Sequence, residues 1–173
     1  MTSLMTAEEL GISANKIDPW RFISLADWHS AEKFIMGNRH NKFKDAVDEN
    51  ITTLKWMKHN FCGELILLPG DSNGGHWDTP KFIRKFNPKL SPEQTILQAG
   101  KLCYEGMIDT FQKGGYDKLL MAVGDHEVGD NPWPAGSAVS RYQPQFRETF
   151  AKAFNYSSDK SSFKYTNKIG SAD

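Results

Sequence analysis

The chain has 173 residues, with 21 Lys+Arg balanced by 21 Asp+Glu, so its formal net charge is zero. That balance excludes a bulk polyanion binder, which needs a basic surplus. The 39 % hydrophobic and 12 % aromatic content suits a chain that buries a core rather than a disordered one. No apolar run reaches the 18 or so residues of a membrane-spanning helix.

Residues 1–19 read as a leader, with a short helix around Thr6–Leu10 closed by Gly11. The stretch Met1–Asp18 lacks the charged-then-apolar order of a signal peptide, which predicts a cytoplasmic protein. A start site further upstream would instead leave a secreted or periplasmic location open.

Three short apolar runs follow: Arg21–Ala26, Glu64–Pro69 and Lys118–Val123. Each is bounded by turn or polar residues, the pattern of strands buried on both faces of a parallel sheet. Between the first two, Asn41 can cap a helix whose Phe43, Val47, Ile51 and Leu54 form one apolar stripe.

Thr79-Pro80 can start a short helix, and Ser91-Pro92-Glu93-Gln94 has the form of a capping box with proline at the first helical position. From that box Ile96, Ala99, Cys103 and Met107 share a face, which Ile108 and Phe111 widen, and Gly114-Gly115 ends the helix. The order strand, helix, strand, helix, strand predicts an α/β layered domain over residues 20–156. Gln143–Phe154 reads as a further helix, and residues 157–173 read as an irregular segment rich in Ser, Lys and Asn. Cys62 and Cys103 form no disulfide framework or zinc spacing and read as small buried apolar groups.

Each apolar run ends on an aspartate motif: Asp27-Trp28-His29, Gly70-Asp71, and Gly124-Asp125-His126-Glu127. Ligands of open α/β sheets bind beyond the carboxyl ends of the strands. Parallel neighbouring strands would therefore bring Asp27, Asp71 and Asp125 to one edge, where their mutual repulsion calls for a cation. Asp27 and His29, two apart on an extended segment, point the same way and suit a metal clamp. Mixed oxygen and imidazole donors suit zinc, iron or manganese. His126, directly after Asp125, is expected to point away from it toward a substrate, with Glu127 orienting its ring.

Taken together these blocks resemble the calcineurin-like metallophosphoesterases, whose signature runs D-x-H, then GD, then GNH followed by an acidic residue, then a lone His and GHxH. The resemblance covers about residues 20–130. It implies a sandwich of β-sheets flanked by helices, and a hydrolase of phosphomonoesters or phosphodiesters working through a hydroxide activated by two divalent metal ions. Manganese, iron or zinc would fill the centre, with magnesium as a further candidate. Asp27 and His29 would hold the first ion, Asp71 would bridge both, and Asp125 would hold the second. His126 would serve the leaving oxygen, held by Glu127.

Two departures stand out. Asp125 occupies the position of the family's Asn, which adds a negative charge and predicts tighter cation binding with a less electrophilic metal pair. After His126 the sequence contains no histidine, although the family has three more ligands there. That predicts the N-terminal half of a longer enzyme, weakly active alone. A non-catalytic phosphoesterase-like binding module is the alternative, and a differently completed metal site using His76 is a third.

Three lesser features flank the motifs. Asn73 and His76, in the glycine-rich stretch after Asp71, read as substrate contacts or as an ordinary turn with a packed Trp77. Arg84, within the basic stretch Lys81–Lys89, reads as a steering charge for an anionic ester or as part of a solvated helix face. Trp133, between Pro132 and Pro134, reads as a wall of the site or as a packing residue. The substrate itself, small or macromolecular, and the oligomeric state are not encoded in these motifs.

Overall fold

The computed structural model describes residues 21–26, 28, 42–129, 140–154, 156–158 and 163–165. The leader, Asn41 and Trp133 lie outside these. Three strands, β1 (Phe22–Ser24), β2 (Leu65–Leu68) and β3 (Lys118–Met121), form a sheet in the order β1-β2-β3. Both pairings are parallel, with Ile23 opposite Ile66 and Ile66 opposite Leu119. The chain is thus mixed α/β with a parallel sheet and flanking helices, as the alternation of apolar runs and helical stripes predicts.

Burial on both faces holds only for the middle strand. Leu65, Ile66 and Leu68 are buried, whereas Phe22 of β1 is 50 % exposed and Lys118 at the start of β3 is exposed. The central strand has a strand on each side. The two outer strands of a three-stranded sheet do not.

Helix α1 (Lys42–Phe61) connects β1 to β2 and presses the buried Leu54 into the core. It ends where Cys62 turns into the left-handed region at φ 52° and its N–H bonds to the Lys58 carbonyl. This is the αL termination usually made by glycine. Cys62 is therefore exposed, against the expectation of burial, because its backbone ends a helix at the surface. Cys103 is buried as expected.

Helix α2 (Pro80–Phe86) is capped by Thr79, whose Oγ1 accepts from the Phe82 N–H. Helix α3 (Pro92–Lys113) starts on the complete capping box: Ser91 Oγ accepts from Gln94 N, and Gln94 Oε1 accepts from Ser91 N. Its buried face carries Ile96, Ala99, Cys103, Tyr104, Met107 and Phe111. Helix α4 (Gln143–Phe154) packs against it. Trp77 stacks on Phe146 at 5.5 Å, and Tyr104 meets Phe150 and Phe154 edge-on. This aromatic layer ties the β2 exit loop to α3 and α4. The segment expected to be irregular instead contains β4 (Tyr156–Ser158) and β5 (Phe163–Tyr165), paired antiparallel with Tyr156 opposite Tyr165. A β-hairpin of three-residue strands is too short for periodicity to register it.

Helices α3 and α4 approach closely at Gly100. A Cβ there would lie 2.4 Å from Thr149 Oγ1 and 2.5 Å from its Cγ2. Gly100→Ala is expected to cost about 1–3 kcal/mol by overpacking. Combining it with Thr149→Ala should recover part of that loss in a urea-denaturation cycle. Additive losses would show that the two positions do not meet.

Candidate metal-binding site

Parallel strands deliver their carboxyl ends to one edge, and here two of those ends run almost in contact. A Cβ on Gly70 would lie 2.8 Å from Gly124 N, and one on Gly124 would lie 2.0 Å from Asp71 Oδ1. Only glycine fits at either position. Gly70 at φ 116° and Asp71 at φ 54° turn the chain sharply as it leaves β2. Asp is among the few side chains that adopt this region readily.

A single buried carboxylate organises both exits. Glu127 has no exposed surface. Its Oε2 accepts from the backbone N–H of Asp71 and Gly124, each at 2.8 Å. Its Oε1 accepts from Ser72 N, Ser72 Oγ and Asn73 Nδ2, each at 2.9 Å. The consecutive amides of Asp71 and Ser72 form an anion-binding concavity filled by this internal carboxylate. Asn73 relays the order outward: its Oδ1 accepts from Gly75 N at 2.7 Å and its Nδ2 also reaches Tyr104 Oη at 3.3 Å.

These contacts revise the expected roles of two residues. Both Glu127 oxygens accept from the loops, a role beyond the expected orientation of the His126 ring. Asn73, fully buried and engaged at both ends of its amide, has no surface to offer a substrate. Ser72, which no motif marks, is a third buried member of this network.

On the solvent side, Asp71, Asp125 and His126 each present a ligand atom, and these atoms lie within 4.8 Å of one another. The group could hold a metal ion. The expected divergence of Asp125 and His126 does not occur. Alternation applies to an extended chain, whereas Asp125 is in the right-handed helical region and His126–Val128 form a single 3₁₀ turn. Asp71 Oδ1 is buried without a hydrogen-bond partner. Burial raises the Asp71 carboxyl above its ordinary range; a hydrogen bond to Asp125 and repulsion from Asp125 and Glu127 add to this, and His126 partly opposes it. An orphaned carboxylate oxygen, a second carboxylate and an imidazole suit a divalent transition metal.

His76 is exposed, at φ 59°, and its ring lies 6.3 Å from that of His126. Trp77 beside it is a packed core residue. Arg84 is exposed on α2 and is not a member of the three-residue group. Asp27 and His29 lie outside the described residues. Trp28 between them packs against Phe111 with ring centroids 4.9 Å apart. No family model, curated protein or solved structure matches the chain. Among the described residues no helix is long and apolar enough to cross a membrane.

Glu127→Gln is expected to destabilise the fold by about 2–4 kcal/mol, because either amide orientation sets an NH₂ against two or more N–H or O–H donors. For a chain of this size that is a fall of about 5–15 °C in Tm; an unchanged Tm would contradict the organising role. Asp71 supplies a second test. Its native pKa lies above its unfolded one, so the native state keeps the proton longer. The stability this gives is full below the unfolded pKa and is lost as pH rises through the native pKa. In EDTA, wild-type stability should therefore fall relative to Asp71→Asn as pH rises from about 4. Parallel pH curves would contradict it.

Proposed function

We propose that the chain is a metal-dependent phosphoester hydrolase of the calcineurin-like type. The observation that carries this reading is the convergence of Asp71, Asp125 and His126 at the carboxyl edge of a parallel sheet, on the loops bearing GD and GDHE. In this reading two divalent ions are held by Asp71 and Asp125 together with Asp27 and His29. Manganese, iron or zinc fits the mixed donors best, with magnesium the harder alternative. Such ions supply a lowered pKa for the attacking water and neutralise charge on the phosphoryl oxygens.

The residues around them have distinct tasks. Glu127 holds the two loops so that Asp71 and Asp125 are placed before any ion arrives, which reduces the ordering cost of binding. His126 faces the same point as the two carboxylates and donates a proton to the leaving oxygen. His76, exposed beside the His126 ring, contacts the substrate. The raised Asp71 carboxyl also supports the reading, since carboxylates crowded against each other are destabilising until a cation neutralises them.

After EDTA treatment, added Mn²⁺ should raise the Tm, by an amount set by about 2.7 kcal/mol at a hundredfold excess over Kd. It should also start release of p-nitrophenol from p-nitrophenyl phosphate or bis(p-nitrophenyl) phosphate. Asp71→Asn should abolish the Mn²⁺-induced Tm rise and lower kcat at least about 100-fold. His126→Ala should slow phenyl phosphate more than p-nitrophenyl phosphate, because the poorer leaving group needs the proton more. Turnover that is indifferent to Mn²⁺ and to Asp71→Asn would refute the reading.

A further inference from the structure

A groove of about 690 Å³ opens where α2, the start of α3 and the start of α4 meet. Its walls are linked to the loops of the candidate metal edge by sequence on one side and by a hydrogen bond on the other. Asp78, on one wall, follows His76 by two residues. Ser140, on the other, donates its N–H to the Gly129 carbonyl, at the end of the 3₁₀ turn that starts with His126. Ser140 Oγ donates to Asp78 Oδ2 at 2.6 Å and joins the two walls. With at most about 3.6 Å of chain per residue, Asp78 lies within roughly 7 Å of His76, whose ring is 6.3 Å from that of His126.

The groove has the chemistry of an oxyanion site with an apolar floor. Arg84 enters from α2 and Arg141 from the segment before α4. Neither forms an ion pair among the described residues. Glu93 is near enough to feel the charge of Arg141 without pairing with it. The Asp78 carboxylate is engaged by the Ser140 hydroxyl. Arg141 lies over the Tyr142 ring, 4.7 Å from its centroid, and also bonds the Tyr142 hydroxyl, which holds the guanidinium in place. Pro80, Ile83 and Pro92 add apolar surface to the same lining. Two guanidinium forks over such a surface match a phosphate or carboxylate carried on a flat or apolar body.

We propose that this groove is a second-anion subsite, in which Arg84 and Arg141 hold a phosphate or carboxylate on the substrate remote from the ester that reacts. The proposal rests on the hydrolase reading for its substrate, but the anion site itself can be tested without catalysis. It narrows the substrate class to small phosphoesters that carry a second anionic group.

The test is calorimetric titration of the full chain in EDTA with phenylphosphonate and, separately, benzoate. At least one should bind, and Arg84→Gln/Arg141→Gln should weaken that binding at least about tenfold with Tm unchanged, since both side chains are exposed. Asp71→Asn should leave it intact. Preference for phenylphosphonate assigns the second anion as a phosphate, and preference for benzoate assigns a carboxylate. No binding by the wild type, binding indifferent to the arginine pair, or binding lost in Asp71→Asn would each overturn the proposal. If the groove binds its anion but no ester is hydrolysed in Mn²⁺, the hydrolase reading fails and the anion site stands.

Discussion

The structure turns on one buried carboxylate. Glu127 sits inside the protein, where an unpaired charge would be prohibitive, and is tolerated because five hydrogen bonds converge on it. Those donors belong to both strand exits. The consequence is geometric: β2 and β3 cannot splay at their carboxyl ends without exposing the carboxylate or leaving it unpaired. Gly70 and Gly124 are the steric counterpart, since a side chain at either would separate the loops that Glu127 draws together. Aromatic packing extends the same order outward, from Asn73 to Tyr104 and from Trp77 to Phe146.

That inner rigidity sustains an unfavourable outer arrangement. Asp71 and Asp125 face one another beside a third carboxylate, and Asp71 is held in a left-handed conformation with one oxygen unpartnered. A fold selected for stability alone would have relieved this repulsion with a lysine or an asparagine. Strain of this kind persists where surrounding structure over-determines it and clusters at functional sites. The zero net charge of the chain conceals this local excess of negative charge at one sheet edge, and the two arginines of the neighbouring groove are a local excess of the opposite sign.

Much of the architecture was legible from local signals. The capping box at Ser91, the proline after Thr79 and the apolar stripe of α3 each act within one or two helical turns, so spacing alone exposes them. Strand positions and the meeting of Asp71 with Asp125 followed from parallel pairing. What spacing could not show was direction within turns. His126 joins Asp125 because the chain leaves β3 into a 3₁₀ turn, where the two-residue alternation of a strand no longer applies. The role of Glu127 was hidden for a related reason: its partners are backbone amides 54 to 56 residues away, and backbone groups leave no trace in a residue pattern. The edge position of β1 and the surface position of Cys62 likewise depend on what packs nearby rather than on residue type.

The central claim is that Asp71, Asp125 and His126 converge on a divalent cation at the edge Glu127 organises. The most direct measurement is anomalous diffraction at the manganese edge from crystals of the chain grown with Mn²⁺. The account predicts a peak about 2.0–2.3 Å from a carboxylate oxygen of Asp71 and one of Asp125, with the His126 ring facing it from outside the ligand set. A map with no peak there at saturating Mn²⁺, or with manganese only at sites remote from these three residues, would contradict it.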